Sequence, residues 1–399
     1  MGGCCSKGIT GGYSTDREEQ YEDDDEEINY RPGDWGARVR LRGSCDMASM
    51  FTQKGRKAVN QDALTIWEDF VGDPDRIFCG VFDGHGPSGH NVATYVRDVL
   101  PSKLSLQIKS SEYKKGEDND EDAEYLLSSW ADSFLKAFDD MDKELNLDPT
   151  IDSYCSGTTA VTLFRQGEHL MVANLGDSRA ILCTRNKKQK LVPVQLTVDL
   201  KPSIQSEAAR IKRCNGRVFS MSEEPNVSRL WLPDENSPGL AMSRAFGDFC
   251  LKDFGLISTP KLYYRKINPS DEFVVLATDG IWDVLPNKVV ARIVATARKR
   301  SMAARLLVYH AVQAWRTKHI NNKVDDCAAI CLFLKFPSLI TKAKVELKEE
   351  IDEETDEKDE TTNKDAISLD RMATIRSIDV DSHDSRETIT DESSKEKVE

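Results

Sequence analysis

Two short apolar segments joined by a tight turn constrain the fold of this chain more than any other feature. Residues 159–164 and 169–174 are rich in apolar and β-branched residues, and residues 165–168 between them supply a turn. A second turn at 176–178 leads into a third apolar segment at 179–183. Strands this closely spaced are typical of an antiparallel meander, so we predict three consecutive strands here.

Strand and helix patterns alternate over the rest of the chain up to residue 336. Further strands are predicted at 76–82, 273–278 and 328–336. Helices are predicted at 89–100, 121–145, 203–214 and 287–315, the last as two helices. The acidic, lysine-rich stretch 109–122 is interpreted as a surface insertion. Strand pairs interleaved with helices favour an α+β domain with helices packed outside antiparallel sheets.

Composition divides the chain into three parts. Residues 1–36 and 337–399 are rich in polar and charged residues and poor in apolar ones, so we expect them to be disordered. Residues 37–336 carry dense apolar patterning and form the predicted folded domain. The chain holds 68 Asp and Glu against 54 Lys and Arg, a net charge of −14, which argues against a nucleic-acid-binding protein.

Several other classes are also disfavoured by the sequence. No run approaches the roughly 18 apolar residues of a membrane-spanning helix. The ten cysteines include no Cys-x-x-Cys pair, so reduced thiols in a cytosolic setting are expected. None of them precedes an arginine at the spacing of a cysteine phosphatase, and no glycine loop ends in Lys-Ser or Lys-Thr as in an NTPase.

Three aspartates share one position relative to the predicted strands. Asp83 and Asp279 each end an apolar strand and precede a glycine, and Asp177 follows the strand at 169–174. A single Asp-Gly after a strand is ordinarily a simple turn. Three such carboxylates at sheet edges would repel one another without a cation, and hard divalent cations such as Mg²⁺ and Mn²⁺ prefer oxygen ligands. The pattern therefore predicts a metal site.

His85 lies between two glycines, two residues after Asp83. A lone histidine is more often structural than catalytic. The flanking glycines, however, leave this one poorly buried beside a candidate metal ligand, and imidazole titrates near neutral pH. His85 is therefore a candidate general acid.

Six motifs stand in the order found in the metal-dependent protein phosphatase 2C family, which the chain resembles over about residues 43–336. These motifs lie at 81–86, 156–160, 176–179, 202–211, 243–248 and 278–283. Residues 238–250 and the glycine-cysteine start resemble the plant branch of that family. Six ordered motifs are far more specific than any one of them alone.

The resemblance implies a four-layer sandwich of two stacked antiparallel β-sheets flanked by helices. It also implies two Mg²⁺ or Mn²⁺ ions per catalytic site, and a third that binds more weakly. The residues matched to metal positions are Asp62, Asp83, Gly84, Asp177, Asp279, Asp283 and Asp325. Asp83 would bridge two ions, Gly84 would offer its carbonyl, and Asp62 would hold metal-bound water. Asp177 and Asp283 match the weaker position.

Two positions depart from the family pattern. The last acidic motif of the family has Asp followed by Asn, whereas here Asp326 replaces the Asn, so Asp325 is the better match for the ligand. Lys57 stands where the family commonly has an arginine, with Arg56 directly before it. Lysine binds phosphate as a point charge without the two-pronged geometry of arginine. Both residues remain candidates for the phosphate contact.

The function implied by the resemblance is a protein serine/threonine phosphatase in which water or hydroxide bridging two metals attacks phosphorus directly. His85 would protonate the departing oxygen, while Arg56 or Lys57 would offset charge on the phosphoryl group. The alternative is a membrane-tethered pseudophosphatase or scaffold that binds phosphosites, which would have no need of the carboxylates. The expected partners are phosphorylated proteins, and we expect a monomer. Residues 217–238 form a predicted loop that selects substrates.

The start of the chain fits the N-myristoylation pattern, with Gly2 as acceptor and Cys4 and Cys5 as candidate palmitoylation sites. One myristoyl chain binds membranes only marginally, so a second signal is needed. That signal is not electrostatic, because the acidic run at 16–27 would be repelled by an anionic leaflet. We therefore expect a doubly acylated form at the cytoplasmic face of the plasma membrane, beside a soluble cytosolic or nuclear pool.

Overall fold

The computed structural model describes residues 30–115, 123–318, 324–335 and 376–378. The predicted acylation sites Gly2, Cys4 and Cys5 lie outside these residues. Within the described ranges, every helix is too short or too polar to traverse a lipid bilayer.

Strands and helices alternate along the described chain. The strands are β1 Tyr30–Pro32, β2 Arg38–Arg40, β3 Ala48–Gln53, β4 Asp62–Glu68, β5 Arg76–His85, β6 Gly157–Thr158, β7 Ala160–Gln166, β8 His169–Leu175, β9 Arg179–Arg185, β10 Leu191–Gln195, β11 Arg217–Ser220, β12 Ser228–Trp231, β13 Phe246–Gly247, β14 Lys261–Lys266, β15 Asp271–Ala277, β16 Cys327–Phe333 and β17 Arg376–Ile378. The helices are α1 Gly89–Lys115, α2 Ala123–Leu147, α3 Gln205–Arg213, α4 Phe249–Lys252, α5 Asp279–Trp282, α6 Asn287–Thr296 and α7 Ala303–Lys318.

Two antiparallel sheets stack face to face. The first has the strand order β1-β2-β4-β5-β7-β8-β14-β17, with the short strands β6 and β13 attached at the end of β5. The second has the order β10-β9-β15-β16-β3. Helices α1 and α2 cover the outer face of the first sheet, and α6 and α7 cover that of the second. The predicted α+β fold of two stacked sheets flanked by helices is confirmed.

Apolar side chains fill the three spaces between these four layers. Successive side chains of a strand point to opposite faces of its sheet. In β15, Val274 and Leu276 face the other sheet, while Phe273 and Val275 face α6 and α7. Burying a side chain of this size contributes about 1.5–3 kcal/mol. A strand that is buried on both faces is therefore apolar at successive positions. The predicted strands that lead to Asp83 and Asp279 have this pattern.

The predicted meander at 159–183 is wrong in its third strand. Strands β7 and β8 pair as expected, with Ala160 opposite Leu175. Strand β9, however, lies between β10 and β15 in the second sheet. Gly176, at a φ of +100°, makes this crossing in a left-handed conformation that favours glycine. As a result Asp177 lies at the junction of the two sheets.

Helix boundaries differ from the predictions in one important place. Helix α1 runs through Pro101 to Lys115, so it contains the first part of the stretch predicted as a surface insertion at 109–122. The predicted helical region 287–315 does divide into two helices, as expected.

The described fold begins earlier than the predicted boundary at residue 37. Strand β1 pairs with β2, and Arg31 forms an ion pair of 2.6 Å with Asp98 of α1. The guanidinium of Arg40 lies over the Tyr30 ring, 5.9 Å from its centroid. These contacts order residues that composition alone assigns to the polar N-terminal segment.

Strand β17 is the described part of the C-terminal segment. It pairs with the edge strand β14, with Ser377 opposite Tyr263. These three residues depart from the predicted disordered tail, and the other residues of 337–399 lie outside the described ranges.

Candidate active site

Two carboxylates face each other at one end of the first sheet. Asp62 opens β4 and pairs in register with Asp83 near the end of β5, and both side chains are buried. The Thr278 hydroxyl donates to Asp62 Oδ2 at 2.9 Å and accepts from the Ala328 N–H at 3.1 Å. This hydroxyl therefore joins the two sheets beside the carboxylates.

Three more of the predicted metal ligands come from the turns that follow strands. Asp279 begins α5 directly after β15, and Asp283 caps the other end of that short helix. A Cβ on Gly280 would overlap the Asp326 carbonyl, so the turn after Asp279 requires glycine. Asp177 follows β8 at the crossing between the sheets and is 2% exposed.

Gly84 follows Asp83 on β5 and lies against the start of α1. Its N–H donates to the Gln61 carbonyl at 3.1 Å. A Cβ on Gly84 would overlap the Gly89 carbonyl, so only glycine permits this close approach of backbone segments.

The structure separates the roles of Asp325 and Asp326. Asp326 is almost fully buried, and its two oxygens accept the backbone N–H groups of Gly55 at 2.7 Å and Gln61 at 3.0 Å. The Asp325 side chain is 26% exposed, and one of its oxygens lies 2.9 Å from Lys57 Nζ. Asp326 thus binds the backbone of the β3–β4 loop, while Asp325 keeps a carboxylate at the site.

Burial, and after it the repulsion between neighbouring carboxylates, sets the electrostatics of this cluster. Burial raises the pKa of Asp83 well above its ordinary value, and the neighbouring Asp62 and Asp325 raise it further. Burial also raises the pKa of Asp279, with added repulsion from Asp83 and Asp177. The pKa of Asp62 is raised mainly by burial as well. Without a cation, these groups favour their protonated forms.

The donor chemistry of the cluster fits a hard divalent cation. Asp62 Oδ1 and Asp177 Oδ1 are buried acceptors without a hydrogen-bond partner among the described residues, and such orphaned acceptors cost free energy. In the part of the chain that the structure describes, no three His, Cys, Asp or Glu side chains already stand in a metal-holding group. Thr278 and Lys57 instead contact Asp62 and Asp325. An ion bound by Asp62 Oδ1 and Asp177 Oδ1 would satisfy these two acceptors.

Two lysines border the carboxylates. Burial alone would lower the pKa of Lys57, but Asp325, together with Asp83 and Asp326, outweighs it and raises the pKa. Lys201 Nζ lies 3.5 Å from Asp177 Oδ2. Burial would lower its pKa too, and Asp177 and Asp283 reverse that effect. Each lysine therefore remains an ammonium ion and offsets part of the negative charge.

Arg56 and Lys57 point to different surroundings. The Arg56 N–H donates to the Val324 carbonyl at 2.9 Å, but its exposed guanidinium has no hydrogen bond or ion pair among the described residues. Lys57 is the neighbour whose side chain reaches the acidic cluster.

His85 ends β5, and its ring is paired with a carboxylate from a distant segment. Nε2 lies 2.5 Å from Asp248 Oδ2, and Asp248 is 2% exposed. Burial alone would lower the pKa of His85, but Asp248 outweighs it and raises the pKa. With Nε2 engaged, the buried Nδ1 is the ring nitrogen that remains without a hydrogen-bond partner among the described residues.

A short three-stranded ladder holds this pair. Strand β6 pairs with the end of β5, which carries His85, and on its other side with β13, which precedes Asp248. The Asp248 N–H donates to the Ser156 carbonyl at 3.0 Å. The Gly247 N–H donates to the buried carboxylate of Asp142 in α2 at 3.0 Å. The backbone around Asp248 is therefore fixed from two sides.

Sequence reasoning missed three residues of the site: Asp248, Thr278 and Lys201. Asp248 is the last residue of the 243–248 motif, so its position could have marked it as a site residue. The motif alone did not indicate a chemical role for it. It lies 163 positions from His85. Contacts over such separations depend on sheet pairing that local sequence does not specify.

Glu207 of α3 ties this helix to the segment that leads to Asp248. Its carboxylate accepts from Arg244 at 2.6 and 3.0 Å and from the Ser243 hydroxyl at 2.7 Å, and it also pairs with Arg210 at 2.8 Å. Burial alone would raise the pKa of Glu207, but the arginines outweigh it and lower the pKa to about 2.

The Glu207→Gln variant is expected to be less stable by about 3–5 kcal/mol, because two largely buried arginines lose their counter-charge. The folded-state pKa is depressed, so this stabilisation is complete above the ordinary value of 4.5 and is lost as pH falls to about 2. Urea unfolding at about pH 7 and about pH 3 measures it, and the difference from wild type should shrink at the lower pH. The exposed Glu223→Gln is the control. Equal stability of Glu207→Gln and wild type at neutral pH would contradict the prediction.

Comparison with known proteins agrees with the predicted family and fold. Residues 48–320 match the family model described as Protein phosphatase 2C. The chain is 51% identical to "Probable protein phosphatase 2C 65" of Arabidopsis thaliana, over 84% of this chain and 88% of that protein. It is also 51% identical to "Probable protein phosphatase 2C 73" of Oryza sativa subsp. japonica, over 84% of this chain and 80% of that one.

A solved structure shares the fold at low sequence identity. The serine-threonine phosphatase 2C from Toxoplasma gondii superposes with a TM-score of 0.68 at 24% identity, covering 76% of this chain and 100% of that chain. By its family-model match and its curated relatives, the chain belongs to the protein phosphatase 2C family and is a metal-dependent serine/threonine protein phosphatase. The inactive scaffold considered as an alternative gains no support from these relatives.

Proposed function

We propose that the protein hydrolyses phosphoserine and phosphothreonine in proteins at the cluster of Asp62, Asp83, Asp279 and Asp325. One observation carries the proposal: strands and turns of both sheets bring these carboxylates to one place, where burial and repulsion raise the pKa of the first three. Turnover of a phosphoserine peptide that needs added Mn²⁺ and is lost in Asp83→Asn tests it.

The four carboxylates and the Gly84 carbonyl are the proposed metal ligands. Bound Mg²⁺ or Mn²⁺ would supply positive charge to the phosphoryl oxygens and lower the pKa of the attacking water. Asp325 rather than Asp326 fills the last ligand position, because both oxygens of Asp326 are already engaged by backbone N–H groups.

A third ion would be held more weakly, by Asp177 and Asp283. The Lys201 ammonium lies 3.5 Å from Asp177 and already offsets part of the charge there. A cation that binds beside it meets like charge, which weakens its binding.

His85 is the proposed general acid, with Asp248 as its positioning residue. Asp248 holds Nε2 and stabilises the imidazolium form, so Nδ1 carries the proton that passes to the serine or threonine oxygen as the ester bond breaks. Good alignment of this proton matters because an alkoxide is a poor leaving group.

Lys57 is the proposed phosphate contact, and its removal should raise KM. Lys57→Ala is expected to raise KM for a phosphoserine peptide about tenfold, because a hydrogen bond to a charged group contributes about 1.5 kcal/mol or more. Arg56→Ala should leave KM close to wild type. Initial rates with saturating Mn²⁺ measure both, with chelated enzyme as the blank. A larger effect in Arg56→Ala would assign the contact to Arg56 instead.

We further propose that the protein acts at the cytoplasmic face of the plasma membrane, anchored by acyl chains on Gly2 and on Cys4 or Cys5. The support is the sequence pattern at the chain start together with the weak binding given by one myristoyl chain. Such a protein would act as a monomer on phosphoproteins near the membrane, beside a soluble cytosolic or nuclear pool.

The Gly2→Ala variant is expected to move from the membrane to the soluble fraction, since loss of the first acyl chain leaves no adequate anchor. Fractionation of cells that express the tagged full chain measures the change. Cys45→Ser is a matched control because this cysteine lies in the folded domain. Membrane-bound Gly2→Ala protein would count against the acyl anchor.

A further inference from the structure

Two cysteines lie in contact beside the ladder that holds His85. Cys155 Sγ is 3.4 Å from Cys250 Sγ, although the residues are 95 positions apart in the chain. The backbone segments are also joined, since the Cys250 N–H donates to the Tyr154 carbonyl at 3.0 Å. Both cysteines are free thiols, and the proposed hydrolysis uses neither of them.

The two thiols differ in exposure. Cys155 is partly exposed, and the preceding Tyr154 is 65% exposed, so small molecules in solution can reach this side. Cys250 is buried in a small apolar cluster with Ile211, Leu230 and Leu251. The partly exposed cysteine is therefore in contact with a buried one.

We propose that Cys155 and Cys250 form a peroxide-sensitive pair whose oxidation to a disulfide reversibly slows the phosphatase. Disulfides of proteins in reducing compartments are usually transient and catalytic or redox-sensing, so a contacting pair of free thiols suits this role. By contrast, Cys79, Cys183 and Cys331 are fully buried in the two sheets.

The oxidant is hydrogen peroxide. Cys155 gives its proton to solvent, and the thiolate attacks one peroxide oxygen. The O–O bond breaks, and the leaving hydroxide takes up a proton, which gives a sulfenic acid and one water. The Cys250 sulfur then attacks the sulfenic sulfur, the disulfide forms, and the sulfenic hydroxyl leaves with the Cys250 proton as a second water. Two electrons pass from the thiols to the peroxide. Burial raises the pKa of Cys250 to about 12, which leaves Cys155 as the first thiol to react.

Formation of this disulfide would affect Asp248, the residue that positions the proposed general acid His85. A disulfide has an S–S distance of about 2.05 Å, so the two sulfurs must approach by more than an ångström. Asp248 lies two residues before Cys250, and its N–H is bonded to the Ser156 carbonyl next to Cys155. Pulling these segments together displaces Asp248 relative to His85. A misplacement of about 1 Å can cost about a hundredfold in rate.

Formation of the disulfide is inferred from the geometry alone, whereas its effect on turnover also rests on the proposed function. The experiment therefore measures disulfide formation and turnover separately. The reduced full chain is treated with hydrogen peroxide without metal, quenched with catalase and alkylated with N-ethylmaleimide. Peptide mapping without reduction then follows, and a second portion is assayed with Mg²⁺ on a phosphoserine peptide. We expect a linked peptide joining Cys155 to Cys250 and a loss of turnover of about tenfold or more, restored by dithiothreitol.

Cys155→Ser should keep its turnover after peroxide, whereas Cys214→Ser, a matched partly exposed cysteine, should be inactivated like wild type. Alkylation of both Cys155 and Cys250 in inactivated wild type would overturn the proposal, and so would equal inactivation of Cys155→Ser. The mapping uses wild type, so it decides the disulfide even where a variant fails to fold. If the reduced protein had no turnover before oxidation, the proposed function would be contradicted. Peptide mapping would still show whether Cys155 and Cys250 form a disulfide.

Discussion

Replacing Asp83 by Asn is expected to lower turnover of a phosphoserine peptide by about a thousandfold while making the metal-free protein more stable. The loss of activity follows from the lost carboxylate ligand, since metal charge contributes several kcal/mol to the transition state and about 4 kcal/mol corresponds to a factor of a thousand. The gain in stability follows from removing a buried charge that its neighbours repel. A residue needed only for folding would change both quantities in the same direction.

The stability difference between Asp83→Asn and wild type is expected to depend on pH. The pKa of Asp83 is raised in the folded state above its ordinary value of 3.8, so ionisation destabilises the fold. That penalty is absent below the unfolded-state pKa and complete above the folded-state pKa. The Asn variant should therefore unfold at a higher temperature than wild type near neutral pH in chelator, and the difference should vanish towards about pH 4.

Thermal unfolding with chelator and with Mn²⁺ measures the stability side. Mn²⁺ should raise the unfolding temperature of wild type near neutral pH and have little effect on Asp83→Asn, because ligand binding to the folded state is what stabilises it. Asp46→Asn, at an exposed position, is the control. The assignment fails if the chelated Asp83→Asn protein is less stable than wild type, or if its Mn²⁺-dependent turnover persists.

The Asp248→Asn variant is expected to lose about a hundredfold in turnover of a phosphoserine peptide and little in turnover of 4-nitrophenyl phosphate. General acid catalysis typically contributes a factor of about 10²–10⁴. The serine alkoxide needs that proton, whereas 4-nitrophenolate can depart without it. A defect confined to poor leaving groups separates loss of the general acid from loss of metal or of folding.

The pH profile provides a second measurement on the same variant. Asp248 outweighs burial and raises the pKa of His85, so wild type keeps its acid protonated to higher pH. The alkaline limb of turnover should therefore move to lower pH in Asp248→Asn. His85→Gln should show the same dependence on leaving group, and the exposed Asp253→Asn should behave as wild type. Equal losses on both substrates would show that Asp248 does not act through His85.

Local sequence was sufficient for those parts of the fold that depend on local periodicity. The apolar segments that form β5, β7, β8 and β15 agree with the predicted strands, and Asp83, Asp177 and Asp279 lie at or just after the ends of β5, β8 and β15. Asp83 and Asp279 could be found because a carboxylate directly after a buried strand has a defined position at a sheet edge. Register between strands, by contrast, depends on partners far away in the chain.

The wrongly predicted third strand shows that local patterns do not determine which sheet a strand joins. Strand β9 has the same apolar character as β7 and β8, yet it belongs to the other sheet. Both sheets accept the same side chains on their shared face, so hydrophobicity cannot distinguish them. The crossing at Gly176 decides it, and only the completed stack shows that Asp177 and Lys201 meet there.

By itself, the sequence determined that strand-end aspartates would need a cation, and its ordered motifs identified the family. Tertiary structure added the physical reason for preferring Asp325 to Asp326, because Asp326 is held by the N–H groups of Gly55 and Gln61. It also decided that Asp248 supports His85. The physical reason is the same in both cases. These hydrogen bonds join groups 163 to 271 positions apart in the chain, and they form only after the sheets have paired.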